Sequence, residues 1–126
     1  MEQERDAARG LTALLRRCNA RVLALTPGER QQATGWPDRY VAHPYWSGWL
    51  ELKGPRTRVR PAQVAALRAL RAAGARAWVL RFTSEDEVVA EDEGGCAAAT
   101  LARPKTPRDA AQLLRLLAAL DEKRPR

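Results

Sequence analysis

Asp38, Glu51, Lys53 and Gln63 are the residues of this chain whose types and spacing suit a chemical reaction. They stand in Gly35-Trp36-Pro37-Asp38, in Glu51-Leu52-Lys53, and at the start of the segment that follows. Two carboxylates brought together by neighbouring strands make a site for a hard divalent cation, which takes oxygen ligands and keeps bound water. The backbone carbonyl of Leu52 offers a third oxygen. Such a cation polarises a phosphoryl oxygen and turns water into a nucleophile. Lys53 shares a strand face with Glu51. It can orient or deprotonate the attacking water, or offset charge that builds on the phosphate. Gln63, at a helix N-terminus, can contact phosphate or a metal-bound water, helped by the local dipole. The chemistry that unites these groups is metal-assisted phosphodiester hydrolysis.

Little else in the chain offers chemistry. His43 is the only histidine. It reads as a loop residue, and a lone histidine argues against zinc hydrolases and histidine-based nucleases. Ser47 and Ser84 have no base nearby in sequence. No glycine-rich phosphate loop is present, which argues against nucleotide-driven motor activity.

The elements that must position the site follow from periodicity. Ala7, Leu11, Leu14, Leu15 and Cys18 recur at helical spacing, predicting a helix over about Glu2–Cys18. Glu4 is seven residues before Leu11, so it lies within about 20° of that apolar stripe, whereas Glu2 lies opposite. Glu4 is therefore the helix acid that can look toward a site. Strands are expected at about Arg21–Leu25, Asp38–Ala42 and Trp49–Lys53, with a turn at Thr26-Pro27-Gly28 and polar loop or strand edge over Glu29–Thr34. Alternation sets Trp49, Glu51 and Lys53 on one face and Leu50 and Leu52 on the other. A second helix is expected over about Pro61–Ala73, with proline in its first turn and Gly74 as its stop. Ala77–Phe82 reads as a fourth strand, parallel to the third through a right-handed crossover. Asp92-Glu93-Gly94-Gly95 suits a turn between strands at Val88–Glu91 and Cys96–Leu101. Thr106, Pro107 and Asp109 open a last helix with a Leu113, Leu114, Leu117 and Leu120 stripe, and Glu122–Arg126 reads as a frayed tail.

At 126 residues the chain is the size of one domain, and 45% hydrophobic with 29% charged residues is ordinary for a globular fold. A formal net charge of +7 favours an anionic partner, most simply nucleic acid. Only Lys53, Lys105 and Lys123 are lysines, so the basic set is arginine-rich, which suits bidentate phosphate contacts. Arg39, Arg56, Arg58 and Arg60 are the candidates to grip phosphates beside the site. Trp36, Tyr40, Tyr45, Trp46 and Trp49 form a dense aromatic stretch, suited either to stacking on unpaired bases or to a core or subunit interface. The two cysteines, Cys18 and Cys96, lack metal-ligand spacing, and Cys18 reads as a buried free thiol. A reducing, cytoplasmic setting is expected, with no signal peptide in the first residues and no run long enough to span a membrane.

Together these segments resemble the PD-(D/E)XK nuclease superfamily. The local wording Gly-x-Pro-Asp, Glu-Leu-Lys-Gly-Pro and Pro-Ala-Gln is similar to its VRR-NUC branch. The resemblance covers about Glu4–Phe82. It implies an α/β, restriction-endonuclease-like core, a mixed central sheet flanked by helices in the order α-β-β-β-α-β. Here a C-terminal hairpin and helix would follow within a single domain over 1–126. The core would span about 2–82, and 83–126 would be an extension, a candidate dimer surface or DNA clamp. By position, Asp38 and Glu51 resemble the metal carboxylates, with the Leu52 carbonyl beside them. Lys53 resembles the catalytic lysine, Gln63 the helix glutamine and Glu4 the N-terminal acid. Arg60 departs from the pattern, because a small polar cap is expected there. The resemblance implies Mg²⁺ as cofactor, with Mn²⁺ able to substitute, and branched DNA such as a Holliday junction as substrate. It also implies a homodimer, since symmetric cutting of two strands needs two sites. The alternatives are a nuclease for ordinary duplex or single-stranded DNA, an inert nuclease fold that only binds DNA, and a structural subunit.

Overall fold

The computed structural model describes residues 4–25 and 35–124; the expected turn at 26–28 and the segment 29–34 lie outside the described residues. The described elements are α1 (Glu4–Arg17), β1 (Arg21–Ala24), β2 (Arg39–Ala42), β3 (Gly48–Lys53), α2 (Pro61–Ala72), β4 (Ala77–Phe82), β5 (Glu87–Glu91), β6 (Ala97–Ala102) and α3 (Pro107–Lys123). Their order is the one the periodicity predicts. The six strands form one mixed sheet in the order β1-β2-β3-β4-β5-β6. Only β3 and β4 pair in parallel; every other neighbouring pair is antiparallel.

Alternation gives the sheet two unlike faces. One carries Val41, Leu50, Leu52, Trp78, Leu80, Val88 and Ala90, all buried. Against it pack Ala7, Ala8, Leu11 and Leu15 of α1 and Ala110, Leu113, Leu114 and Leu117 of α3 in the main core. Residues 83–124 therefore complete the central core as well as extending the sheet. The other face is covered over β3 and β4 by α2, where Leu67 packs on Ala77 and Val79. This smaller layer leaves room for polar side chains, and the chemically interesting residues lie there.

Local chemistry explains the ends of the helices. Glu4 and Asp6 open α1 while Arg16 and Arg17 close it, both favourable to the helix dipole. Thr106 caps α3 by accepting from the Asp109 N–H at 3.1 Å. Asp109 answers by accepting from the Lys105 and Thr106 N–H groups, and these bonds hold its carboxyl below the ordinary carboxylate range.

The end of α3 differs from the expected frayed tail: Glu122 and Lys123 are helical. The physical reason is Asp121. Its two carboxylate oxygens accept from the indole N–H of Trp46 at 2.6 Å and of Trp78 at 3.0 Å. That double anchor pins the last turn to the sheet. Asp121→Asn keeps only one acceptor oxygen and leaves one of these indoles unpaired. We expect a loss of about 1–3 kcal/mol, read as a lower urea midpoint with an unchanged slope. Cys18 also differs from expectation. It is a free thiol but only half-buried, with its Sγ donating to the Leu15 carbonyl, and burial raises its pKa.

Candidate active site

The site grows from the register of three strands. Arg39 pairs with Leu50 across β2 and β3. Continuing that antiparallel ladder by one residue sets Asp38 directly opposite Glu51. On the other side, Glu51 pairs with Val79 of β4 and Val79 with Glu91 of β5. Asp38, Glu51, Val79 and Glu91 thus form one row across the sheet face beneath α2. Lys53 and Arg81 lie opposite each other in the next row of the same face.

Asp38 is held from both sides, once through its backbone and once through its side chain. Its carbonyl accepts from the Leu25 N–H at 2.9 Å, and its Oδ1 accepts from the Leu52 N–H at 3.4 Å. In an antiparallel ladder the N–H and C=O of one residue point to the same side. The Leu52 carbonyl is therefore directed to the Asp38 side.

Glu51, Lys53 and Gln63 are almost fully buried, with exposures of 2%, 4% and 3%. Lys53 Nζ lies 3.3 Å from Glu51 Oε2, and Gln63 Nε2 donates to the same oxygen at 3.2 Å. Isolated buried charges are costly, so this pairing is what lets the ions sit in the interior. Gln63 has a second task. Its Oε1 accepts from the Arg60 N–H at 2.9 Å. The side chain of Arg60 makes no cap bond, so Gln63, three residues along, supplies the polar group that the helix start lacks. One amide both closes the N-terminus of α2 and orients Glu51.

Gly35 explains how Asp38 is delivered to this place. Its φ of +81° lies in the left-handed region, and a Cβ there would sit 2.2 Å from the carbonyl oxygen of Ala62. Only glycine lets the chain press against the first turn of α2 before running through Pro37 to Asp38.

The other expected residues divide. Glu4, in the first turn of α1, accepts from Thr57 Oγ1 at 2.8 Å and lies against Gly54, the residue after Lys53. Its contacts are thus with the loop that follows Lys53. Arg56, Arg58 and Arg60 are exposed on the same loop. Arg39 lies on the opposite sheet face from Asp38. Its Nε donates to Thr12 Oγ1 of α1 at 3.0 Å, and its Nη1 is 3.5 Å from Asp38 Oδ2. That arrangement ties α1 to the strand bearing Asp38.

Two residues that sequence reasoning missed complete the layer. Arg81 Nη1 donates to the carbonyls of Gly54 at 2.8 Å and Thr57 at 2.7 Å, and its Nε donates to Glu91 Oε2 at 3.0 Å. Arg81 thereby holds the basic loop in place, and the buried Glu91 holds Arg81. The signal was present: Arg81 is the only charge in the strand Ala77–Phe82.

Among the described residues no three His, Cys, Asp or Glu side chains cluster as a metal cage. The donor set at the Asp38–Glu51 row is two carboxylates with a backbone carbonyl, all hard oxygens of the kind Mg²⁺ takes while keeping its water. Among the described residues no helix is long and apolar enough to cross a membrane. No protein-family model matches the chain, and no curated protein matches it.

Proposed function

We propose that this chain is a metal-dependent endonuclease of the PD-(D/E)XK type, with a restriction-endonuclease-like core, that hydrolyses DNA phosphodiesters. The reading includes a preference for branched DNA such as four-way junctions and a homodimeric assembly. One observation supports it: the register of β2 and β3, extended by one residue, sets Asp38 opposite Glu51, with Lys53 paired to Glu51 and an arginine loop following.

Asp38, Glu51 and the Leu52 carbonyl would hold Mg²⁺ or Mn²⁺, which when bound supplies Lewis acidity and an activated water. The remaining work belongs to the chain. Gln63 fixes the rotamer of Glu51. Lys53 sets positive charge beside the acids, where it can hold the attacking water and offset charge on the phosphate. Arg56, Arg58 and Arg60 meet neighbouring phosphates from a loop that Arg81 keeps in one conformation, so little ordering is needed on binding.

A second reading, a DNA-binding module with an inert nuclease fold, is favoured by the same burial: Glu51 Oε2 already receives both Lys53 and Gln63. Labelled four-way junction, flap, duplex and single strand of matched length separate the readings, each with Mg²⁺, Mn²⁺ or EDTA. Metal-dependent cutting, fastest on the junction, is expected. Equal rates on all four substrates would remove the structural preference. Salt-sensitive binding without cutting in either metal would leave the inert module. Sedimentation at working concentration tests the dimer.

A further inference from the structure

The acid row has a neighbour. Leu23 pairs with Tyr40 and Tyr40 with Trp49, so these three side chains form a straight apolar row across β1, β2 and β3. That row lies on the same face as Asp38 and Glu51, one same-face step away, about 7 Å along the strands. Trp36 stands over its end. Its ring centroid is 5.1 Å from that of Trp49 at 85°, and Trp49 meets Tyr40 at 5.0 Å and 73°. In an edge-to-face pair at least one face of the Trp36 indole is left open by its partner. Trp36 is 36% exposed and Leu23 56% exposed, two of the four large exposed apolar residues described.

The rest of the aromatic stretch is accounted for elsewhere. Trp46 is buried against Asp121, and Tyr45 lies under the Arg115 guanidinium. Trp36 has no such partner over its open face in the described structure, yet its backbone is firmly placed. Gly35 before it presses on Ala62, and Pro37 after it is buried. A large aromatic held rigidly at the surface, two residues from a candidate metal carboxylate, is suited to a planar ligand. The chain's excess of arginine makes that ligand anionic.

We infer that Trp36, backed by Trp49 and Tyr40, is a stacking platform for a nucleobase with an unstacked face next to the scissile phosphate. A base inside a continuous duplex has both faces covered by its neighbours and cannot use the platform. A base at a flap, gap or branch can. The platform therefore selects DNA with an exposed base face, and it deepens the nuclease reading on which its place beside the cleaved bond rests.

The test compares wild type with Trp36→Leu and Trp36→Tyr. Each binds a flapped duplex carrying 2-aminopurine at the branch and a fully paired duplex of equal length, without metal. Trp36→Leu should bind the flapped DNA about 5- to 150-fold more weakly, because stacking on an aromatic is sequence-tolerant and strong. The fully paired duplex should bind it as well as wild type does. Trp36→Tyr should restore most of the difference and the fluorescence quenching of the base. Wild-type affinity of Trp36→Leu for the flap, or equal losses on both DNAs, overturns the platform even if metal-dependent cutting is intact. Selective, Trp36-dependent binding in a protein that cuts nothing upholds the platform and overturns the nuclease reading instead.

Discussion

Lys53→Met should lower metal-dependent cleavage by about 100- to 10,000-fold, the range for removing a group that moves a proton or offsets charge in the transition state. On the proposed reading DNA binding should change little, because Lys53 is 4% exposed whereas Arg56, Arg58 and Arg60 are exposed on a loop suited to phosphate contacts. The same change strips a buried carboxylate of its cation. Removing one partner of a buried ion pair costs about 3–5 kcal/mol, and the bond from Gln63 to Glu51 brings the expected value to the lower end. A rate measured on Lys53→Met alone would therefore mix chemistry with folding. Glu51→Gln combined with Lys53→Met separates them. The double variant leaves neither Glu51 nor Lys53 as an uncompensated charge, so its urea midpoint should recover most of the loss while its cleavage stays at least as low as that of Lys53→Met. Single-turnover rates and urea melts on wild type, both singles and the double decide the matter. If Lys53→Met folds and still cuts within a few-fold of wild type, Lys53 has no part in the reaction.

This entanglement of folding and chemistry also explains what could be read from the sequence. Element order, the parallel β3–β4 pair and the shared face of Glu51 and Lys53 follow from local periodicity, which the core enforces through burial. The acid pair was legible because strand alternation and a short connection leave few ways to arrange Asp38 and Glu51. Arg39 was less legible. Its type suggests phosphate, but it occupies the opposite sheet face from Asp38, against Thr12 of α1, a contact 27 residues away. Asp121 was invisible for the same reason, since its two indole partners come from β4 and the segment before β3. Gln63 was read as a ligand for phosphate or water, and the structure adds a local role as the group that closes its own helix.

Arg81 and Glu91 extend the point. An ion pair on adjacent strands is a common stabilising device, worth little when solvated. Here the pair is largely shielded, and Arg81 spends its remaining donors on Gly54 and Thr57. The loop that follows Lys53 is thus tied to β4 by Arg81 and to α1 by Glu4. Strand register and a loop fastened twice give this candidate site the kind of support that positioned chemistry needs.

Gly35→Ala should be the most damaging change outside the polar residues. The left-handed backbone costs about 1–2 kcal/mol for a residue with a Cβ. The new methyl group would also lie 2.2 Å from the Ala62 oxygen and 2.5 Å from its carbonyl carbon. No side chain can rotate away from that overlap, because both atoms are backbone in the first turn of α2. The chain must move, at about 1–3 kcal/mol for an overpacked contact, giving about 2–5 kcal/mol in all. The direction of the movement matters for function, since it separates the segment carrying Asp38 from the helix turn carrying Gln63. Displacements of about 1 Å can cost about 100-fold in rate, so cleavage should fall even where the variant is fully folded. Gly35→Asn isolates the cause. Asparagine tolerates the left-handed region far better than alanine, yet it brings the same Cβ. If close approach to α2 is what Gly35 provides, the asparagine variant should be nearly as unstable and inactive as the alanine variant in urea melts and single-turnover assays. Recovery of both properties by asparagine would show that backbone conformation alone is at stake, and that Asp38 does not depend on the contact with Ala62.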